Sequence, residues 1–277
     1  MCFVKYYQKG STDIAADQMT AALTHRGIAT RSLFADEIGA VRDAILIFIK
    51  RADLAHLLGA RLRGNVVVVD VHDTVVFRRG VRYRPLWDGM IFRNERALLD
   101  FGRGRSGAVT IPHHWDDRYE RNRAALDRLR LAYIGEPRSF PPGWEPIPGV
   151  EMVVDQWFAR APAFNAHLSL RRPGREMLYK PNMKVVTAAV CEAVLITTRD
   201  ESALEHLGPG YPFYTGPERA DVVAAIRSAE EAVGGADWQR ALATLAEVKE
   251  RTSLARITEL YVDYLQRFGE LATTSAS

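Results

Sequence analysis

Short, continuous apolar runs alternate with stretches whose apolar residues recur every three or four positions. Phe3–Tyr7 reads as a strand. Ser11–Arg26 reads as a helix: Ser11 or Thr12 can cap it, Ile14, Met19, Ala22 and Leu23 form its apolar face, and Gly27 stops it. Ala44–Ile49 is a buried strand, with a helix over Ala52–Leu62 after it. Asn65–Val71 is the plainest strand, and Gly89–Phe92 and Ala108–Ile111 are two more. Strands apolar on both faces belong to a parallel sheet covered by helices, so residues 1–117 predict a Rossmann-like α/β domain.

The rhythm then restarts. The spacing predicts a charged helix over Arg118–Arg130, a strand Leu131–Ile134, and a loop Ser139–Gly149 that carries four prolines. Strands follow at Val150–Val154, Asn165–Leu170 and Val194–Thr198. Helices are predicted at Val185–Ala193, Ser202–Leu207, 218–234, 237–250 and 252–268. The division is therefore 1–117, 118–251, and a C-terminal helix and frayed tail over 252–277.

Composition agrees with this pattern. The 277 residues are 47% hydrophobic and 26% charged, the balance of a soluble globular chain. Two cysteines, Cys2 and Cys191, are too few for a disulfide framework and point to a reducing, cytoplasmic setting. MCFVKYYQKG lacks a signal-peptide core, and no apolar run approaches a membrane span. The net charge is only +3, which gives no reason to expect nucleic acid. Its distribution is uneven: residues 78–130 carry a local +6 and residues 217–270 a local −3. The basic zone suits anionic lipid at the inner face of a membrane, a phosphorylated substrate, RNA, or plain solvation.

Ligands of open parallel sheets bind beyond the carboxyl ends of the strands. The residues after each predicted strand are therefore the first candidates. In the first half they include Asp13, Asp70, His72, Asp73, Arg93, His113 and His114. Asp13, His72, Asp73 and His114 are candidates for a general base; His72 and Asp73 could equally cap a turn. Adjacent histidines on a strand point to opposite faces, and no ligand spacing supports a metal. In the second half the candidates are Gly135, Glu136, His167, Arg171, Lys180, Asn182, Lys184, Thr198, Glu201 and Ser202. A lysine at a helix start suits a diphosphate, and an acid after a strand suits ribose hydroxyls. Lys180 and Lys184 could instead be an exposed like-charged pair one helical turn apart. GxSxG and Walker patterns are missing, and the letters GRGRSG at 102–107 lead into a predicted strand, not from a strand into a helix, so they are no dinucleotide fingerprint.

The run YKPNMKVVTAAVCEAVLITTRDESALEHL resembles the donor-binding region of GT-B glycosyltransferases, and LRLAYIGEP resembles the strand and glycine turn that open their C-terminal domain. The chain departs from that pattern where Glu192 stands in place of a frequent glycine. The resemblance implies two Rossmann-like domains facing across a cleft, with the C-terminal helix returning to the first. It implies transfer from a nucleotide-diphosphate sugar to a hydroxyl of a glycan or lipid-linked glycan, with no cofactor and no metal; an inverting course would use one of the general-base candidates, and a retaining course would need none. By it, Lys180 and Lys184 would neutralise the diphosphate, Gly135 would approach it, and Thr198, Glu201 and Ser202 would lie near the ribose or sugar. An epimerase or hydrolase of nucleotide sugars, or a non-catalytic glycan-binding module, would share the fold.

Overall fold

A computed structural model describes every residue except 9, 73–84, 120, 122–123, 126, 145–146, 172–173 and 270–277. The chain divides into two compact units. One comprises 1–114, 179–181 and 254–277; the other comprises 115–178 and 182–253.

The first unit is built on six parallel strands: β1 (Cys2–Lys5), β2 (Arg31–Phe34), β3 (Ile45–Ile49), β4 (Val66–Val71), β5 (Gly89–Phe92) and β6 (Ala108–Thr110), in the order β2-β1-β3-β4-β5-β6. Alternate side chains go to opposite faces. Phe3, Ile47, Val68 and Ile91 pack with Met19, Leu23, Ile257 and Tyr261 from the helices Met19–His25 and Leu254–Leu265. Val4, Leu46, Phe48 and Val67 pack with Leu57 and Ala60 of the helix Leu54–Leu62. Both faces are apolar because both are covered.

The second unit holds five parallel strands: β7 (Leu131–Ile134), β8 (Val150–Val153), β9 (Ala166–Ser169), β10 (Val194–Thr198) and β11 (Tyr214–Thr215), ordered β11-β10-β9-β7-β8. One face packs on the helices Met183–Cys191, Arg219–Glu231 and Ala236–Arg251 through Val185, Val222, Ile226, Trp238 and Leu245. The all-parallel α/β class read from the sequence is the class observed.

Three expectations change. Among the described residues of 118–130 none is helical. The buried Asn165 amide takes over the backbone groups there, donating to the carbonyls of Ala125 (3.2 Å) and Arg128 (2.9 Å) and accepting from Arg130 N–H (2.8 Å). The predicted first helix is present, but Asp13–Gln18 winds as a π-helix between Gly10–Thr12 and Met19–His25. The helix predicted at Val185–Ala193 runs instead from Met183 to Cys191. Lys180 therefore precedes it, and the like-charged pair on one helical turn does not form.

That helix ends in a left-handed residue, Glu192, at φ 55°. A glycine adopts this conformation without strain; other L-residues pay about 1–2 kcal/mol. Glu192 is retained with ion pairs to Lys249 (2.9 Å) and Arg121 (3.1 Å). Glu192→Gly and Glu192→Ala both delete these pairs, and only the first relieves the backbone. Glu192→Gly is expected to be about 1 kcal/mol more stable than Glu192→Ala in urea denaturation. Equal midpoints would show that the left-handed turn carries no strain.

Candidate functional site

The strand order of the second unit reverses between β7 and β9, and the crevice beyond that reversal is where such sheets bind ligands. β7 delivers Gly135 to it. Gly135 has φ +147°, reached easily only by glycine, and its N–H is tied to Val153 O at 3.0 Å. A Cβ on Gly135 would lie 3.6 Å from Lys184 Nζ, so the two positions adjoin. Lys184 sits in the first turn of the helix Met183–Cys191, its Nζ 3.3 Å from the centroid of the Tyr133 ring. Burial pushes the Tyr133 hydroxyl up to about 12.

The charge placement is unusual. A helix N-terminus carries partial positive charge and is ordinarily balanced by Asp or Glu. This one has no acid in its first turn and a lysine there instead. Positive charge is gathered at one point, which favours an anion.

Polar atoms around the same strand ends await partners. Ser169 Oγ at the end of β9, His167 Nε2 on β9, and Asn182 Oδ1 before the helix are buried and have no hydrogen-bond partner among the described residues. Leaving such groups unmet costs about 1–3 kcal/mol each. The rest of Asn182 is fixed: its N–H donates to Ser202 Oγ at 2.9 Å and its Nδ2 to Asp200 Oδ2 at 3.3 Å. Burial drives His167 down to about 4, with the Lys184 charge adding to the effect and a backbone hydrogen bond at Ala161 opposing it. His167 is thus a neutral imidazole near pH 7.

A cavity of ≈ 610 Å³ lies beyond the ends of β9, β10 and β11. Arg171, Thr198, Asp200, Glu201, Tyr214 and Thr215 are among its lining residues. Arg171 N–H donates to Thr198 Oγ1 at 3.0 Å, and its Nε lies 3.8 Å from Asp200 Oδ2. Burial lowers the Arg171 pKa, opposed by Asp200. Burial raises that of Asp200, opposed by Arg171 and by the capping bond from Ala203 N–H (3.0 Å).

Of the residues singled out in this half, Gly135, Lys184, His167 and Asn182 gather at the β7 and β9 ends, and Arg171, Thr198 and Glu201 line the cavity. Glu136 is exposed at the start of a 3₁₀ turn. Ser202 is buried and holds Asn182. Lys180 is exposed and groups with the first unit, where Tyr179 donates to Asp100 at 3.1 Å. Ser169 was not among the sequence candidates, although it ends a strand.

In the first unit, His72 is not on an open rim. Its Nε2 lies 3.0 Å from Asp70 and 3.2 Å from Arg93, and it is 3% exposed. Burial lowers its pKa against the pull of Asp70. His114 follows β6 and is buried, with Nε2 2.9 Å from Gln18 Oε1. Gln18 is the last residue of the π-helical stretch that Asp13 opens; π-turns concentrate at functional sites. Asp73 lies outside the described residues, as does part of the basic zone 78–130. Among the described residues no three His, Cys, Asp or Glu side chains are placed to share a metal, and no helix is long and apolar enough to cross a membrane.

No protein-family model and no curated protein matches the sequence. Solved structures do match. A glycosyltransferase from Rickettsia africae has a TM-score of 0.71 at 10% identity, covering 97% of this chain and 98% of that one. HepE from Anabaena, in complex with UDP and glucose, has 0.65 at 11% identity, covering 96% and 99%. An E. coli trehalose-6-phosphate structure bound with UDP-2-fluoro glucose has 0.64 at 11% identity, covering 96% and 98%. The chain has the GT-B fold.

Proposed function

We propose that the protein is a glycosyltransferase that moves a sugar from a nucleoside-diphosphate sugar to an acceptor hydroxyl on a glycan or lipid-linked glycan. The observation that carries this reading is the lysine-bearing helix start beside Gly135, with buried polar atoms at the neighbouring strand ends that lack partners among the described residues. The fold supports it, since similar structures hold UDP or a UDP-sugar.

In this reading Lys184 and the helix N-terminus take up the diphosphate charge that grows as the glycosidic bond to phosphate breaks. Gly135 permits close approach. Asn182 Oδ1 and Ser169 Oγ meet hydroxyls, and Arg171, Thr198 and Glu201 hold the nucleoside side in the ≈ 610 Å³ cavity. Fixed positive charge in place of a metal makes transfer metal-independent. His114 deprotonates the acceptor, held by Gln18 at the end of the π-helical stretch that Asp13 opens. The first unit takes the acceptor. The protein works on the cytoplasmic side, and its basic zone touches anionic lipid.

Melting curves against UDP-, GDP-, ADP- and CMP-sugars test the donor. At a ligand concentration of 100 Kd, stabilisation is about 2.7 kcal/mol, which raises Tm by about 5–10 °C. A UDP-sugar is expected to give that shift with EDTA present. A panel that leaves Tm unchanged would remove the donor site. Release of free sugar without any acceptor requirement would indicate a hydrolase.

A further inference from the structure

The loop between β6 and His114 has no regular structure, yet three consecutive residues in it are pinned. Arg93, which follows β5, is 3% exposed. Its Nη1 donates to the carbonyls of Ile111 (3.0 Å) and Pro112 (3.3 Å). Its Nη2 donates to Asp70 and to Tyr261 Oη (2.9 Å), and Tyr261 O–H donates in turn to Asp70 (2.9 Å). The next residue, His113, packs edge-on against His72 with ring centroids 4.5 Å apart, and His72 is itself held by Asp70. His114 then meets Gln18.

We propose that Arg93 is a positioning residue for His114. This rests on the reading of the chain as a glycosyltransferase with His114 as its base.

A buried ion pair is a poor stabiliser: desolvation offsets its Coulombic gain, and apolar packing would serve as well. What it supplies is geometry. The guanidinium is a rigid planar fork with five donors, and one fork spans two adjacent carbonyls, a β4 carboxylate and a helix hydroxyl. An apolar side chain could fill the volume but could not set the path of residues 111 and 112. An ammonium cannot reproduce the fork either, so Arg93→Lys retains the charge and loses the positioning.

The test combines NMR of the histidine 13Cε1–1Hε1 signals with UDP-glucose turnover. Arg93→Lys is expected to displace the His114 signals and to lower kcat by about 10²-fold, the effect of a 1 Å misplacement, with UDP affinity unchanged. Tyr261→Phe keeps Arg93 on both carbonyls. It is expected to lower Tm while leaving the His114 signals in place. Undisplaced His114 signals in a folded Arg93→Lys protein overturn the proposal. So do signals displaced equally in Tyr261→Phe, which would mean general softening, and so does an Arg93→Lys chain that fails to fold while Tyr261→Phe folds normally, which would make the fork a purely structural element. The two readings fail separately. Full turnover in His114→Ala removes His114 as the base and leaves the NMR result standing.

Discussion

Lys184→Ala is expected to weaken UDP and UDP-sugar binding by about 10²-fold or more while the protein stays folded. Removing one partner of a desolvated, hydrogen-bonded charge pair costs about 2–5 kcal/mol of binding, and 1.4 kcal/mol is a factor of ten. The free protein loses much less. Lys184 Nζ stands over the Tyr133 ring, worth about 0.5–2 kcal/mol. Against that, removing a cation from a helix N-terminus returns about 0.3–1 kcal/mol. These two effects oppose each other, so stability is expected to change less than affinity. Lys184→Met keeps the apolar stem and should behave like the alanine variant in titration calorimetry with UDP. Lys184→Arg keeps charge but carries a larger planar head into a space that adjoins Gly135, where even an added Cβ would lie 3.6 Å from the lysine stem, so it should recover only part of the affinity. An unchanged Kd in Lys184→Ala would move the diphosphate elsewhere.

The sequence displays this site only in part, for a physical reason. Central strands are buried on both faces, so Ile45–Ile49, Val66–Val69 and Val194–Ile196 stand out as unbroken apolar runs. Edge strands face solvent on one side and need no such run. Arg31–Phe34 is partly exposed along its length, and Tyr214–Thr215 is two residues long; neither was legible. The rule that ligands meet strand ends located Gly135, Arg171 and Thr198, because it depends on local order alone. It could not show that Asn165 would take up backbone groups of Ala125, Arg128 and Arg130 in place of helical partners. Nor could it show Arg93 reaching Asp70 and Tyr261, 23 and 168 residues away. The burial of His72 and His114, 3% and 2% exposed, has the same source. A residue after a strand reads as a rim residue until tertiary packing covers it.

The histidines also set the response to acid. Burial holds His167 down to about 4 and pushes His72 and His113 below their ordinary value, His113 well below it. His206, half-buried, is lowered to about 4 with Arg251 and Arg171 adding to the burial effect. In the unfolded chain each takes a proton near pH 6.5. Between pH 6.5 and pH 4 the unfolded state therefore binds more protons than the folded one, and folding stability falls as the pH falls. Above pH 6.5 the contribution is fully present. For His167 the loss by pH 4 is on the order of 3 kcal/mol, at 1.36 kcal/mol per unit of pKa difference. His72 and His113 add to it, and His206 adds less because it is partly solvated. Asp70 works in the same direction but later. The burial that would raise its pKa is outweighed by Arg93 and His72, which hold it at about 2, so its contribution is lost only as the pH drops from 3.8 towards 2. Urea midpoints are expected to be flat from pH 8 to 7 and to fall steeply between pH 6.5 and 4.5, since several kcal/mol is a large share of the 5–15 kcal/mol that folded proteins have. His167→Gln cannot charge, so its midpoint should fall less over the same interval. A wild-type midpoint that stays level to pH 4.5 would mean that these imidazoles gain their protons without leaving the folded state.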